Sequence, residues 1–384
     1  MDALCGAIVA APEGLQAGWA VGFDDAQIVF VGPETDLPSK GRRVRLDGGV
    51  LAPGFIDLQV NGGGGVLLND DPTPEGVAAI ARAHRQFGTT GLLPTLISDD
   101  VAVMRQAIEA AASAMDAGVP GVLGLHLEGP FLNAEKNGVH DASKFATLTD
   151  ETVELCGSLG SGVTLVTLAP ETAPPGAIRD LTRRGVVVAA GHTNGAYEAY
   201  AAAIDEGMSG FTHLFNAMSP LTGRAPNAVG AALDFDEVWC GVIADGHHVH
   251  DAALRVALRC KGRDKFILVT DAMPTVGAAT KTFHLGAELL HAENGRIANS
   301  EGRLAGSDLD MMTAVKNAVV RLGAPLEDAL HMAAAAPAQA IGLEGVTGRL
   351  VPGLRADMVH FTDDFEVRQT WINGRALAAS AAAA

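Results

Sequence analysis

Basic residues are scarce in this chain. Lys and Arg total 27 against 45 Asp and Glu, a formal net charge of −18, which argues against nucleic acid or an anionic membrane as a partner, since both need a cationic surface. A small anionic ligand stays open, because a pocket can carry charge opposite to the whole. Cysteine is nearly absent too. Cys5, Cys156, Cys240 and Cys260 are scattered with no CxxC pair, so they read as reduced thiols rather than a disulfide framework. No uninterrupted apolar run reaches the roughly 18 residues of a membrane span. The N-terminus carries Asp2 and neither a basic n-region nor a long apolar core, so no secretory signal is expected and the cytoplasm is the expected compartment. Two nucleotide signatures are missing as well. No GxGxxG opens a helix after the first strand, and the glycine run 62–65 lacks the Lys-Ser/Thr of a P-loop, which makes it a backbone loop leaving room at a pocket.

What is present fits a globular enzyme. The 384 residues suffice for one large domain and a small one, and with aromatics at 5% and 46 glycines the core must be packed from Ala, Val and Leu. Residues 1–50 alternate short β-like runs with Gly, Pro and Asp turns, and residues 349–384 resemble them, with a hairpin turn expected at Asn373-Gly374. The two ends together predict one small β-sandwich, followed by an Ala-rich tail that is frayed or disordered. Between them, residues 51–348 alternate strand and helix. Eight strand-like runs (GFIDLQV, TTGLLPTLI, GVLGLHLE, VTLVTLAPE, GVVVAAGH, SGFTHLFN, VWCGVIAD, KFILVTDA) occur here, with amphipathic stretches over 74–87, 101–117, 175–184, 196–206 and 251–261. This pattern predicts a distorted (β/α)8, TIM-like barrel rather than an open sheet.

Five polar side chains fall where these apolar runs end: Gln59, Glu128, His192, His213 and Asp271. In a parallel barrel that end is the rim where catalytic groups converge. A lone His in an apolar strand is usually a satisfied core residue. Two at equivalent ends of consecutive strands, together with a Glu, instead form a catalytic zinc set with a fourth position left for water. Asp271 suits a different task, taking a proton from the activated water and delivering it to a leaving amine. His126, deeper on the Glu128 strand, reads as a packed core histidine. In the loops, His140 and His248 are candidate hydrogen-bond donors, Asn216 with Ala217 offers an amide and backbone N–H groups, and Arg224 is a candidate anion clamp. His247 and His250 receive no role.

The segments PGFIDLQVNGGGG, HLEGPF, NGVHD, GHTNG, THLFNAM, ADGHHV, TDAM and LAGSDLDM follow one another along the chain. In this order they resemble the N-acetylglucosamine-6-phosphate deacetylase family of the amidohydrolase superfamily, nearly end to end. The resemblance implies Glu128, His192 and His213 as metal ligands, Asp271 as the acid/base, and His140 beside the acetamide. It implies Gln59, Val139, His140, Asn216, Ala217, Arg224, His248 and the Leu304, Ala305, Gly306 segment as substrate contacts. It also implies a homodimer in which Arg224 reaches the neighbour's substrate phosphate. Many amidohydrolases carry His-x-His after the first strand, where this chain has Gln59 and Asn61. Amides are poor ligands beside imidazole, so one divalent metal, Zn2+, is expected.

The expected reaction is hydrolysis of an N-acetylated amino-sugar phosphate to the free amine and acetate. A cyclic amidase is disfavoured, because the fourth strand, VTLVTLAPE, has no Lys to bridge two metals. The C4 epimer, an N-acetylgalactosamine phosphate, remains an alternative substrate. A non-catalytic sugar-phosphate sensor is a further alternative, and retention of Asp271 speaks against it.

Overall fold

The computed structural model describes residues 1–376; the Ala-rich tail lies outside the described residues. Eight parallel strands form the central sheet: β1 (Phe55–Val60), β2 (Thr89–Ile97), β3 (Gly124–Glu128), β4 (Val163–Leu168), β5 (Val187–Ala190), β6 (Gly210–Phe211), β7 (Trp239–Ile243) and β8 (Phe266–Val269). Each pairs with its sequence neighbour. They read as apolar runs because both faces are covered: nearly every residue in them is buried. The ring closes around the end of the first strand and past the end of the last, where Asp271 N–H donates to Gln59 O and Gly62 N–H to Ala272 O, both at 2.9 Å. Inside this seam the Asp57 carboxylate accepts from Gln59 N–H, Thr270 N–H and the Thr270 hydroxyl. The seam makes the barrel distorted: its first and last strands are joined by side chain and loop rather than by a regular ladder.

The first barrel helix starts on a clear cap. In α1 (Pro74–Arg85), Thr73 accepts from Gly76 N–H and Pro74 opens the first turn. Next come α2 (Val101–Asp116), α3 (Asp150–Cys156), α4 (Ala177–Arg183), α5 (Tyr197–Asp205), α6 (Asn227–Asp234), α7 (Asp251–Lys265) and α8 (Met311–Val320). The short α3 and α6, and α8, went unread in the sequence.

Both chain ends build β structure. Strand Val50–Pro53 runs parallel to Ile8–Ala11 on one side and antiparallel to Met358–Phe361 on the other. Leu4, Val21, Ile28, Leu51, Met358 and Trp371 share a separate core between this six-stranded sheet and a four-stranded one. Ile372 pairs with Arg375 across Asn373 and Gly374, whose φ values of 53° and 70° form the expected hairpin turn. One element was not foreseen. Residues 282–307 form an antiparallel four-stranded sheet, Thr282–Leu285, Glu288–Glu293, Arg296–Ala298 and Leu304–Ser307, inserted after β8.

Candidate metal centre and catalytic cavity

Glu128 is the last residue of β3, and Gly129 follows at φ +88°, where a Cβ would meet Ser98 Oγ at 2.2 Å. His192, His213 and Asp271 each stand two residues beyond a strand end, with φ of 48°, 35° and 54°. A left-handed backbone is uncommon for any residue but glycine and persists where the surroundings over-determine it. Here it marks the sharp turns at three strand ends from which the side chains reach one centre.

At that centre, His213 Nε2 lies 2.8 Å from Glu128 Oε1 and 3.1 Å from His192 Nε2, and His192 Nε2 lies 3.3 Å from the same Oε1. With ligand bonds of about 2.0–2.1 Å, a tetrahedral site has edges of about 3.3 Å. The three atoms therefore have the spacing of one tetrahedral face. The tautomer of His192 fits: its Nδ1 donates to Lys136 O at 2.8 Å, which leaves the Nε2 lone pair free.

Glu128, His140 and His192 also present ligand atoms all within 4.8 Å of one another. His140 differs from the others in its proton. Ser98 N–H donates to its Nδ1 at 3.3 Å, and the Ser98 hydroxyl lies 2.8 Å from the same atom. A ring nitrogen accepting a backbone N–H carries no hydrogen, so the proton sits on Nε2 and makes His140 a donor. Burial, then the neighbouring His192, pushes its pKa down to about 3, which keeps it neutral.

The carboxylates diverge. Burial alone would raise the Glu128 pKa, but the close approach of the His192 and His213 rings holds it well below the ordinary value. Burial would likewise lower that of His213, yet the bond to Glu128 and its charge hold it above the usual imidazole value. Asp271 is pushed up to about 6, first by burial and then by the Glu128 charge. Two carboxyl groups with pKa values driven apart are the usual arrangement for one ligand and one acid/base. Gln59 Nε2 lies 3.1 Å from both Glu128 Oε2 and Asp271 Oδ1, and Asn61 Nδ2 lies 2.6 Å from Asp271 Oδ1. Both amides fall on Oδ1 and leave Oδ2 for the cavity.

A cavity of about 370 Å³ opens above these groups. Glu128, Val139, His140, His192, His213 and Asp271 line it, together with Asn216, Ala217, His248, Leu304 and Gly306. The His248 ring is aimed by Asp245, whose Oδ2 is 2.6 Å from Nδ1. Asn216 spends its amide donor on His213 O at 3.0 Å. Gly306, at φ +59°, sits where a Cβ would come within 2.8 Å of Asp271 O. Three expected residues lie elsewhere. Gln59 is beneath the cavity, against the two carboxylates. Ala305 points into the small core of the inserted sheet with Phe283, Leu290 and Ile297. Arg224 is exposed in its loop and outside the cavity lining. Lys136 and Arg303 line the cavity but were not singled out in the sequence; Arg303 arrives on the unforeseen insert, next to Leu304. His126 is fully buried between Thr95 and Thr167, His247 meets Asn294 O, and His250 caps α7.

A parallel barrel with a Glu/His cluster able to hold a metal on its C-terminal rim and a raised-pKa carboxyl beside it has the architecture of a metal-dependent hydrolase. Comparison with known proteins narrows the class. Residues 50–377 match the amidohydrolase family, and the chain belongs to that family. It is 43% identical over 333 residues to an N-acetylgalactosamine-6-phosphate deacetylase of Shewanella sp. (strain ANA-3), covering 87% of this chain and 84% of that one. It is 34% identical to an N-acetylglucosamine-6-phosphate deacetylase of Haemophilus influenzae over 93% of this chain and 94% of that one. The crystal structure of N-acetylglucosamine-6-phosphate deacetylase from Pasteurella multocida superposes with a TM-score of 0.94 at 35% identity, covering 98% of this chain and 99% of that one.

Proposed function

We propose that this protein hydrolyses N-acetyl-D-glucosamine 6-phosphate to D-glucosamine 6-phosphate and acetate, with one Zn2+ held by Glu128, His192 and His213. The observation that carries the reading is the 2.8–3.3 Å triangle of Glu128 Oε1, His192 Nε2 and His213 Nε2 with Asp271 beside it. When bound, such a cation acidifies water and polarises a carbonyl oxygen. Asp271 Oδ2 takes a proton from the attacking water, and its raised pKa suits returning that proton to the C2 nitrogen as the C–N bond breaks. His140 Nε2–H donates to the carbonyl oxygen as negative charge develops there. Gln59 and Asn61 hold Oδ1 and occupy the place of the usual second-site imidazoles, which supports a single metal.

Val139, Asn216, Ala217, His248 and the segment Leu304–Gly306 would line the bound sugar. Lys136 and Arg303 are the ammonium and guanidinium groups in the cavity wall, and Arg303 is the guanidinium available to a phosphate from its own chain. Arg224 would serve the active site of a second copy in a homodimer, a role supported by its exposed loop and by Leu221, 55% exposed beside it. In this reading the barrel over residues 51–348 does the chemistry, and residues 1–50 with those described after 348 form the supporting sandwich. Four unpaired cysteines suit a cytoplasmic enzyme. Among the described residues no helix is long and apolar enough to cross a membrane.

The 43% identity to a deacetylase of the galacto epimer favours a second reading, in which the same chemistry acts on N-acetyl-D-galactosamine 6-phosphate. Amine release from each epimer, with and without the 6-phosphate, decides between them. Failure to release amine from either phosphorylated sugar by Zn2+-loaded enzyme would reject both.

A further inference from the structure

The Glu171 carboxylate has no part in the reaction described above, yet it gathers three donors from the surroundings of His192. Glu171 lies in the single turn Pro170–Thr172 after β4. Its Oε1 accepts from Asn194 N–H at 2.6 Å and from Asn133 Nδ2 at 2.9 Å, and its Oε2 accepts from the Thr193 hydroxyl at 2.5 Å. Among the described residues no Lys or Arg forms an ion pair with it. Thr193 and Asn194 directly follow His192, the residue with a left-handed backbone. Asn133 opens the turn Ala134–Lys136, whose last carbonyl receives the His192 Nδ1 proton. Asn133 N–H donates to His192 O at 3.0 Å, and Asn194 Nδ2 to Glu135 Oε2 at 2.6 Å, so the two loops are fastened face to face. Gly195 fits the same turn closely: a Cβ there would lie 3.2 Å from Glu171 Oε2.

We infer that Glu171 is a positioning residue for the metal-binding imidazole of His192. One carboxylate holds both the chain that carries the ring and the loop that fixes its tautomer. Charge-assisted bonds of this kind are stronger than neutral ones, and an unfavourable backbone needs such over-determination. Without Glu171 the His192 turn relaxes, the Lys136 carbonyl drifts from Nδ1, and Nε2 no longer points at Glu128 and His213. The inference rests on His192 being a ligand.

Zn2+ affinity, measured by chelator competition on metal-free enzyme, tests it. Glu171→Ala should weaken Zn2+ by about ten- to a hundredfold, the usual effect of losing a partner behind a ligand, with activity recovering as Zn2+ is raised to saturation. Glu171→Gln should restore most of the affinity, since its Oε1 keeps Asn133 and Asn194 while the Thr193 hydroxyl turns to accept from the amide. Affinity in Glu171→Ala equal to that of wild type overturns the inference, as does equal loss in the Ala and Gln variants. If Glu171→Ala does not fold, Asn133→Ala, which frees the Lys136 loop alone, must weaken Zn2+ in the same direction; unchanged affinity there also overturns it. Wild-type protein that binds no Zn2+ would instead reject the ligand reading of His192.

Discussion

Asn61 donates its side-chain amide to Asp271 Oδ1 over 2.6 Å, across the seam between the first and last strands of the barrel. Gln59 adds a second donor to the same oxygen at 3.1 Å and a third contact to Glu128 Oε2. Gln59 thus bridges two carboxylates that would otherwise repel each other, and Asn61 joins it on Asp271. It fixes which oxygen of Asp271 the two amides hold.

Asp271→Asn should keep the fold and the metal and lose turnover. Asparagine still accepts from Asn61 and Gln59 through its carbonyl oxygen, but it cannot take a proton. The loss should fall on kcat rather than KM and reach about a hundredfold or more. Steady-state kinetics on metal-loaded protein checks this, and near-normal kcat would exclude Asp271 as the acid/base.

The same carboxyl sets the acid limb of the rate profile. Asp271 must be ionised to receive a proton, and burial with the Glu128 charge raises its pKa to about 6. A bound cation would pull that value down. kcat/KM should therefore fall with unit slope as pH drops, with its midpoint at or below about 6. A midpoint near neutrality would point to another group.

The site was more legible than its supports. A polar residue ending an apolar strand stands out because it breaks a pattern, which is how Glu128, His192, His213 and Asp271 were visible. The inserted sheet at 282–307 breaks no pattern. Its first three strands bury one residue apiece, Phe283, Leu290 and Ile297, and only the last is mostly buried, at Ala305, Gly306 and Ser307. Arg303 was lost with it. Glu171 escaped for another reason: its partners Asn133, Thr193 and Asn194 are local only in space.

One tightly bound divalent metal per chain is expected, since amides at 59 and 61 ligate poorly. Elemental analysis after exhaustive dialysis should give about one equivalent by that argument; two retained equivalents would show that the amides tolerate a second ion. Glu128→Gln should strip the metal, because a neutral amide replaces the one anionic ligand.

Acid sensitivity should appear at a histidine remote from the reaction. His84 is fully buried against Gly62 O at 2.9 Å, and burial lowers its pKa from 6.5 to about 4. A depressed folded value means the unfolded chain binds the proton first. The stability associated with neutral His84 is present above about 6.5 and is lost as pH falls toward 4. His84→Gln keeps a donor for Gly62 O and removes the titration. The Tm of wild type should drop relative to His84→Gln between pH 6.5 and 4, and parallel curves would reject the assignment.

The two guanidinium groups should separate by the chain they serve. Arg303 lines its own cavity, with Nη1 3.3 Å from Gly138 O and Nε 3.3 Å from Glu301. Because it is half exposed, its contribution to binding a phosphate is discounted to about three- to tenfold in KM. Arg303→Ala should raise KM for the phosphorylated sugar and leave the slow reaction of the unphosphorylated one unchanged. Arg224→Ala should do the same if its loop crosses to a partner, and mixing subunits tells the two apart. In a heterodimer of Asp271→Asn with Arg224→Ala, a crossed arrangement gives one site lacking both groups and one site with both intact, so phosphate-dependent activity rises above that of either parent. In a heterodimer of Asp271→Asn with Arg303→Ala, the chain that keeps Asp271 also lacks its own Arg303, so no such gain appears. A gain in the second mixture would move Arg303 to the neighbour's site. Its absence in the first, with mixed dimers confirmed by mass, would return Arg224 to its own barrel.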